Sequence, residues 1–302
     1  MAKITVIGSL NMDLVVTTPR VPAMGETILG SAFMTAPGGK GANQAVAAAR
    51  LGGDVTMVGC VGNDIFGRNL LENLEMNNVN TEYVRTLHGY PTGVAIIVIK
   101  DGNNCIIVDP GANGQLKPAD MEGMESLIKD SFIVVIQLEI PLDTVESAIR
   151  IAKKHNVKVL LNPAPAAKLS DELLSMVDVF TPNESECEII TGLPAKTTEE
   201  AKKAVAYLNS KGIETVIVTL GGKGVVYNSG NEVIHKPVPE VKVVDTTAAG
   251  DSFSGALAVS LARGEDIDTA IDFANIVGTL TVTKKGAQTS LPTLHDVEMF
   301  RA

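Results

Sequence analysis

Short apolar segments alternate with longer amphipathic segments along most of this chain. Apolar runs typical of buried strands cover Ile4–Ile7, Val55–Val58, Phe132–Leu138, Val157–Leu161, Val177–Phe180 and Thr215–Thr219. Apolar residues at helical spacing cover Asn43–Arg50, Phe66–Met76, Leu142–Lys154, Leu169–Ser175, Thr198–Ser210, Phe253–Ala262 and Asp268–Thr283. Strands that alternate with helices form a parallel sheet with helices on both faces. We therefore predict a doubly wound α/β fold with a mainly parallel central sheet, in a single domain over residues 1–302.

Two regions depart from this alternation. Leu14–Thr18 with Thr27–Met34, and Gly93–Lys100 with Asn104–Val108, have the pattern of antiparallel strand pairs, the second joined by a polar turn at 100–103. Because they lie outside the strand–helix alternation, they predict a small accessory sheet, inserted at about 11–37 and 90–110, that could close over a site as a lid. The edges of such a sheet need covering, so we expect a homodimer formed through the lid sheets.

Polar residues follow five of the predicted parallel strands. They occur at Gly8–Asp13, Glu139, Asn162, Thr181–Glu186 and Thr219–Gly224. In an open parallel sheet, ligands bind in the crevice beyond the carboxyl ends of the strands. A single carboxylate after a strand is usually a helix cap, but five such ends favour one shared site.

A glycine-rich segment, Gly38-Gly39-Lys40-Gly41-Ala42-Asn43, precedes the first predicted helix. Glycines let a ligand approach the backbone closely, while Lys40 and Asn43 supply hydrogen bonds. A flexible turn capped by Asn43 would explain the asparagine, but not the glycines and the lysine together. The segment is not a Walker P-loop, because Met34 stands where the first glycine is required and Gly41 where Ser or Thr is required. If the chain uses ATP, it does so without a P-loop.

The segment Asp245-Thr246-Thr247-Ala248-Ala249-Gly250-Asp251 lies at the start of another predicted helix. Small residues at a helix start gather backbone N–H groups that can bind an anion. A carboxylate there would repel a phosphate, unless Asp251 accepts a proton from a hydroxyl while the N–H groups hold the phosphoryl group in transfer. The alternative is an Asp251 that is only stabilised by the helix dipole. This segment alone leaves both interpretations open.

Composition restricts the class of partner. The formal net charge of −10 argues against nucleic acid or an anionic membrane as the partner, but not against a small phosphate ligand. The three cysteines are scattered and odd in number, and the four histidines are dispersed, so the sequence suggests no zinc site. There is no long apolar run and no signal-like N-terminal segment, so we expect a cytoplasmic protein.

Six motifs, in this order and spacing, resemble those of the PfkB-type, ribokinase-like carbohydrate kinases. They are Gly38–Gln44, Gln137–Glu139, Asn162–Ala166, Thr181–Glu184, Asp245–Phe253 and Lys285–Gln288. The resemblance covers essentially the whole chain and points to the branch of the family that phosphorylates ribose. It implies ATP-dependent phosphorylation of D-ribose at O5 to give ribose 5-phosphate.

The resemblance also implies roles for the matching residues. Asp251 would be the catalytic base toward the 5-hydroxyl, and the backbone of Ala248, Ala249 and Gly250 would form the anion hole for the phosphate. The sugar would be held by Asn11, Met12, Asp13, Gly39, Lys40, Gly41, Ala42, Asn43, Glu139 and Asp251.

Three further ligands are implied by the same resemblance. Asn183 and Glu186 would position the triphosphate of ATP and its Mg²⁺, the metal through water. The nucleotide would also contact Thr219, Leu220, Gly221, Gly222, Lys223, Gly224, Gly250 and Asn275. A monovalent cation, usually K⁺, would fix the shape of the anion-hole loop from positions Asp245, Thr247, Thr281, Lys284, Gly286 and Ser290. The position matching Asn275 varies in the family, and Ser252 replaces the commoner Thr, so the nucleotide contacts are the least defined.

The choice of sugar depends on Asn11 and Asp13, which together can bind adjacent hydroxyls such as the 2-OH and 3-OH of ribose. Deoxyribose-preferring relatives tend to carry an apolar residue at the position of Asn11, so its presence favours ribose. A kinase for deoxyribose, fructose or a nucleoside on the same scaffold remains an alternative, although 4% aromatic residues offer little for a nucleoside base. A non-catalytic sugar sensor is the other alternative, and the intact Asp251 with its loop argues against it.

Overall fold

A computed structural model describes residues 2–101 and 103–301 of the chain. Its strands are β1 (Lys3–Ile7), β2 (Asn11–Thr17), β3 (Ser31–Gly38), β4 (Asp54–Gly62), β5 (Asn80–Leu87), β6 (Gly93–Lys100), β7 (Asn103–Asp109), β8 (Ile133–Ile136), β9 (Lys158–Leu161), β10 (Val179–Phe180), β11 (Thr215–Thr219), β12 (Val225–Ser229) and β13 (Glu232–Lys236). Its helices are α1 (Lys40–Arg50), α2 (Ile65–Met76), α3 (Pro118–Gly123), α4 (Glu125–Lys129), α5 (Leu142–Lys154), α6 (Asp171–Leu174), α7 (Glu184–Thr191), α8 (Thr198–Ser210), α9 (Ala249–Ala262), α10 (Ile267–Thr281) and α11 (Leu294–Arg301). Two short 3₁₀ helices cover Gly111–Gln115 and Gly221–Lys223.

The central sheet has nine strands in the order β13-β12-β11-β10-β9-β8-β1-β4-β5. The strands from β11 through β5 are parallel to their neighbours, and β12 and β13 add an antiparallel edge. The five strands predicted to end in polar residues, β11, β10, β9, β8 and β1, are consecutive in this order. Their carboxyl ends therefore lie side by side at one edge of the sheet, and the predicted fold class is confirmed.

The core lies on both faces of the central sheet. One apolar cluster packs α1, α2, α9 and α10 against one face, and a second packs α5 and α8 against the other. Alternation along β1 explains the division, because Ile4 and Val6 belong to the first cluster and Ile7 to the second. In the part of the chain that the structure describes, no helix is both long and apolar enough to cross a bilayer.

A separate sheet of four strands has the order β3-β2-β6-β7. The predicted antiparallel pairs are present as β2–β3 and β6–β7, and a parallel pairing of β2 with β6 joins them. The prediction of a strand at Thr27–Met34 was wrong in its boundaries, because β3 runs from Ser31 to Gly38 and sets Gly38 opposite Asn11. In the predicted turn at 100–103, Gly102 lies outside the described residues.

Three strands of the central sheet were not predicted. β5 lies at an open edge and carries charged residues on its exposed side, so its sequence lacks the apolar run of an interior strand. β12 and β13 form a hairpin that completes the opposite edge. These strands widen the sheet without changing the edge at which the polar residues collect.

Candidate active site

The carboxylate of Glu139, which follows β8, receives hydrogen bonds from two other segments. Its Oε2 accepts from the hydroxyl of Ser9 at 2.5 Å, from the backbone N–H of Lys40 at 3.1 Å and from Nδ2 of Asn11 at 3.5 Å. Ser9 lies in the short link between β1 and β2, and Lys40 is the first residue of α1. The structure thus brings together predicted sugar-site residues that lie up to 128 positions apart in the sequence.

Strand β2 presents Asn11 and Asp13 on one face, because alternate residues of a strand share a face. Met12 points to the other face, where its side chain is buried in the core. A Cβ atom on Gly38 would lie 2.4 Å from Oδ2 of Asp13, so the glycine is needed to admit this carboxylate. Burial, and then the charges of Glu139 and Asp251, raise the pKa of Asp13 to about 7. Three predicted carboxylates therefore face one space.

The start of α1 fits closely against the link between β1 and β2. Gly39 has φ of 88°, and a Cβ there would lie 2.7 Å from the backbone nitrogen of Asn11. A Cβ on Gly41 would lie 2.6 Å from the backbone nitrogen of Ser9, and the side chain of Ala42 is buried in the core. Gly39, Gly41 and Ala42 therefore shape the site through close packing, and Ala42 contributes no side chain to it.

Both carboxylate oxygens of Asp251 are held by side-chain amides. Nδ2 of Asn43 donates to Oδ2 at 2.9 Å, and Nε2 of Gln44 donates to Oδ1 at 3.1 Å. Nε2 of Gln137 in turn donates to Oε1 of Gln44 at 2.7 Å. Oδ1 of Asn43 is buried and has no hydrogen-bond partner among the described residues, as expected of an atom that contacts a polar ligand. Gln44 and Gln137 were not predicted as site residues, although both lie inside the recognised motifs.

Helix α9 begins beside this carboxylate. Ala248 occupies the N-cap position with φ of 60°, in the left-handed region, and Ala249, Gly250 and Asp251 form the first turn. The first N–H groups of a helix have no carbonyl partner within the helix and carry the positive end of its dipole. The segment 248–250 therefore has the features of an anion-binding helix start and directly precedes Asp251.

A cavity connects this helix start to the ends of β10 and β11. Its lining includes Lys40, Asn183, Glu186, Thr219 and the segment 248–251. Burial lowers the pKa of Lys40, but the charges of Asp251, Glu139 and Glu186 outweigh it and raise that pKa, so the ammonium stays charged. The cavity therefore combines the ammonium of Lys40, the starts of α7 and α9, and the carboxylates of Glu186 and Asp251.

Glu186 and Asn183 cap helix α7 reciprocally. Oδ1 of Asn183 accepts from the N–H of Glu186 at 2.8 Å, and Oε2 of Glu186 accepts from the N–H of Asn183 at 2.9 Å. Burial raises the pKa of Glu186, against the opposing effects of the Asn183 N–H and Lys40. Only one carboxylate oxygen is used in the cap, which leaves the other for a metal or its water.

The turn after β11 has a tight backbone. Gly224 has φ of 91°, and a Cβ there would lie 2.0 Å from the carbonyl oxygen of Lys236. Gly221 also has a positive φ, and Gly221, Gly222 and Lys223 are exposed. Leu220 is buried in the core, and Nζ of Lys223 donates to the carbonyl of Lys196 at 2.8 Å. This turn offers a ligand mainly backbone groups.

Asn275 lies on α10, which packs against α9. Its side chain is buried, and Nδ2 has no hydrogen-bond partner among the described residues. A buried amide N–H without a partner is costly, so this position suits a polar ligand.

Asp245 joins the anion-hole loop to the segment after α10. Its Oδ1 accepts from the N–H of Thr247 at 2.9 Å and from the Thr247 hydroxyl at 2.6 Å, and its Oδ2 accepts from the N–H of Gly286 at 2.9 Å. Burial works against ionisation, but these hydrogen bonds and the charge of Lys285 lower the pKa of Asp245. The structure brings Asp245, Thr247 and Gly286 together around one carboxylate.

The other predicted cation-site residues lie at the end of α10 and in the segment that follows it. The hydroxyl of Thr281 bonds to that of Ser252 at 2.8 Å, and the hydroxyl of Ser290 donates to the carbonyl of Ala287 at 2.7 Å. Lys284 is exposed and its ammonium lies 4.0 Å from Asp296, so Lys284 can offer only its carbonyl.

Comparisons with known proteins agree with this geometry. The profile of the pfkB family carbohydrate kinases matches residues 1–294. The chain belongs to this family. This pfkB family member is 44% identical to the ribokinase of Haemophilus influenzae over 299 residues, which cover 98% of this chain and 97% of that protein. It is 41% identical to the deoxyribokinase of Salmonella typhi over 299 residues, which cover 98% of each.

A solved structure gives the same fold. The ribokinase of Arabidopsis thaliana, complexed with ribose and ATP, matches with a TM-score of 0.91 at 35% identity and covers 99% of this chain and 98% of that one. The predicted membership of the pfkB carbohydrate kinase family is therefore confirmed over the full length of the fold.

Proposed function

We propose that this chain transfers the γ-phosphoryl group of ATP to O5 of D-ribose, giving ribose 5-phosphate. The observation that carries the proposal is the pair of amide hydrogen bonds that hold Asp251 within the first turn of α9. A fixed carboxylate next to an anion-binding helix start suits transfer of a phosphoryl group to a hydroxyl. The ribokinase at 44% identity, and the related structure with ribose and ATP, support the same reaction.

In this mechanism Asp251 accepts the proton of the 5-hydroxyl as the new P–O bond forms. Phosphoryl transfer needs positioning and charge stabilisation more than covalent help from the protein. The N–H groups at 248–250 stabilise the charge on the transferring group, and the half-buried Lys40 adds a positive charge to the same cavity. The two amides on Asp251 hold its carboxylate in one orientation throughout.

The sugar hydroxyls are bound by the group that surrounds Glu139. Asn11, Asp13, Glu139 and the unpaired Oδ1 of Asn43 offer both donors and acceptors in a small buried space. Gly39 and Gly41 contribute close backbone approach, and Met12 and Ala42 contribute only their backbone.

ATP lies along the cavity from 248–251 toward the turn after β11. Thr219 to Gly224 bracket the nucleotide through backbone groups, and the unpaired Nδ2 of Asn275 fits a polar atom of the base. The residues also fit Mg²⁺, a hard cation that prefers carboxylate and water ligands, because Glu186 keeps one carboxylate oxygen outside its helix cap. When bound, Mg²⁺ would neutralise part of the negative charge of the phosphates.

A monovalent cation, K⁺, fits the region of Asp245 because the lowered pKa of that carboxyl keeps it ionised. Thr247, Thr281, Lys284, Gly286 and Ser290 belong to this site. Such a cation supplies a fixed positive charge behind 248–250, and these residues then hold the loop in its anion-binding shape. Replacing K⁺ by a large inert cation should lower kcat about tenfold. Equal kcat in both salts would contradict the cation site.

The reaction is tested by measuring ADP release with ATP, Mg²⁺ and K⁺ in the presence of ribose, 2-deoxyribose or fructose. We expect the highest kcat/KM with ribose. Deoxyribose is the second candidate, because a deoxyribokinase is 41% identical over nearly the whole chain. Sugar binding without sugar-dependent ADP release would identify a sensor and reject the enzyme.

A homodimer through the lid sheets is proposed from the exposed apolar residues on their edge strands. Phe33 on β3 and Ile107 on β7 are 68% and 62% exposed, an unfavourable state for a monomer in water. Analytical ultracentrifugation should give a dimer, and Ile107→Lys should shift it toward monomer. The cytoplasmic location, and the exclusion of nucleic-acid and membrane partners, stay predictions.

A further inference from the structure

Asn113 contacts the sugar-binding strand without having been predicted as a site residue. It lies in the 3₁₀ helix Gly111–Gln115, just after the last lid strand, and it is 1% exposed. Its Oδ1 accepts from the N–H of Leu10 at 2.9 Å, while its Nδ2 donates to the carbonyl of Leu10 at 3.0 Å and to Oδ1 of Asn11 at 2.8 Å. Both ends of the Asn113 amide are therefore in use.

The backbone of Leu10 fixes which way the Asn113 amide lies. A backbone N–H can only donate and a backbone carbonyl can only accept, so Oδ1 must face the N–H of Leu10 and Nδ2 must face its carbonyl. The reversed amide would set two donors and two acceptors against each other. The second hydrogen of Nδ2 then requires an acceptor, and Asn11 supplies its Oδ1. The main chain thus orients Asn11 through Asn113.

Asn11 consequently turns its N–H group toward the sugar site. Its Nδ2 lies 3.5 Å from Oε2 of Glu139, and the side chain is 2% exposed. The neighbouring Asp13 and Glu139 are acceptors when ionised, so Asn11 is a donor among acceptors. A hydroxyl can accept from Asn11 and donate to a carboxylate at once. A CH₂ group can do neither, and it leaves the buried N–H unpaired.

The lid encloses this hydrogen bond. Gly93, the first residue of β6, pairs with Asn11 in the parallel register of β2 and β6. A Cβ on Gly93 would lie 2.3 Å from Oδ1 of Asn11 and 2.3 Å from Nδ2 of Asn113. Only glycine fits over the contact, so little space remains for water that could compete for these atoms.

We propose that Asn113 is a positioning residue that makes the site select sugars with a hydroxyl facing Asn11, and so ribose over 2-deoxyribose. The inference rests on the proposed kinase function and deepens it by assigning the origin of the sugar preference. A ribokinase and a deoxyribokinase show 44% and 41% identity to this chain, so overall similarity does not decide between the two sugars.

The test measures kcat/KM for ribose and for 2-deoxyribose in wild type and Asn113→Asp, at about pH 8 to favour the ionised form of the new carboxyl. This change keeps the size of the side chain but removes its donor, and Asn11 must reverse to donate to the new carboxylate. We expect kcat/KM for ribose to fall about tenfold and that for 2-deoxyribose to change less than about threefold. The ratio of the two values is the diagnostic quantity.

Asn228→Asp is the matched control. Asn228 on β12 is also buried, with Oδ1 accepting from the N–H of Val216 at 2.7 Å and Nδ2 donating to the carbonyl of Glu214 at 2.8 Å. It braces the antiparallel edge of the central sheet and contacts no sugar-site residue, so the sugar ratio should not change. If Asn113→Asp does not fold, Asn113→Ser serves instead, because the shorter side chain cannot reach Asn11.

A double-mutant cycle with Asn11→Leu shows whether Asn113 acts through Asn11. In that background Asn113→Asp should leave the sugar ratio unchanged, since the N–H it orients is gone. Equal losses for both sugars in Asn113→Asp, or an unchanged ratio, would overturn the inference. Absence of turnover by the wild type with either sugar would instead reject the proposed function, so the two failures are distinguishable.

Discussion

The candidate site has two halves that are built differently. The sugar half surrounds Glu139 and Asp251, and the nucleotide half runs from the start of α9 to the turn after β11. In the sugar half, Asn11, Asp13, Asn43 and Asp251 are each at most 9% exposed, and side-chain hydrogen bonds hold Asn11, Asn43 and Asp251. In the nucleotide half, the turn at 221–223 is exposed and offers backbone groups. A network of fixed side chains can discriminate between patterns of hydroxyls. The backbone groups of a glycine-rich turn can bind a flat or extended group with little discrimination. We therefore expect the selectivity of the enzyme to come from the sugar half.

The largest effect is expected at Asp251, where one substitution separates sugar binding from proton transfer. Asp251→Asn keeps the size of the side chain but cannot accept a proton, so kcat should fall about 1000-fold while ribose still binds. Steady-state kinetics and calorimetric titration with ribose measure the two properties. Asp130→Asn, at an exposed carboxyl before β8, is the control and should keep kcat. Substantial activity in Asp251→Asn would show that another group is the base.

A smaller effect is expected when the positioning of Asp251 is weakened. Gln44→Met removes the N–H that bonds Oδ1 of Asp251 and the acceptor that Gln137 uses. We expect kcat to fall about tenfold with the KM for ATP unchanged, because only the sugar half is disturbed. A change in the KM for ATP alone would contradict the division of the site.

The complementary change lies in the nucleotide half. Gly224→Ala adds a Cβ where φ is 91° and where the carbonyl of Lys236 lies 2.0 Å away, so the turn must shift. The KM for ATP should rise about tenfold while the KM for ribose stays the same. Gly123→Ala is the control, because a Cβ there meets nothing within 4 Å. Parallel changes in both KM values would show that the halves are coupled.

The smallest effect concerns stability without ligand. The folded protein keeps the proton of Asp13 up to about pH 7, whereas the unfolded chain loses it near 3.8. The free energy of unfolding should therefore fall as pH rises from about 4 to about 7, by on the order of 1–4 kcal/mol. Urea unfolding of wild type and Asp13→Asn at about pH 5 and about pH 8 measures the difference, which should favour the variant at the higher pH. If the difference in unfolding free energy between wild type and Asp13→Asn does not depend on pH, the raised pKa of Asp13 is contradicted.

The sequence predicted the interior of the fold better than its edges. Leu142–Lys154, Thr198–Ser210 and Thr215–Thr219 match the observed α5, α8 and β11 residue for residue, because buried faces impose a clear periodicity. Strand β5 was missed because its exposed side carries charged residues. The boundaries of β3 were wrong because pairing with β2, and not local composition, decides where that strand lies.

The sequence predicted the site residues that lie in the motifs, but it did not predict the contact of Asn113, which lies outside them. Asn113 is 102 positions from Asn11, and a single polar residue in a Gly-Ala-Asn-Gly segment gives no signal of that contact. Gln44 and Gln137 lie within recognised motifs. Only the folded arrangement reveals that Gln44 donates to Asp251 and that Gln137 donates to Gln44. These three residues act through the side chains to which they hydrogen-bond, and tertiary structure decides which side chains those are.

The direct passage of β1 into β2 has a mechanical consequence. Only Gly8, Ser9 and Leu10 separate the last residue of the core strand from Asn11, the first residue of the lid strand. A swing of the lid sheet would bend the chain at these three residues and at its other links to the core, such as Gly39 between β3 and α1. On the proposed function, such a movement would withdraw Asn11 and Asp13 from the sugar, so we expect product release to follow the opening of the sheet.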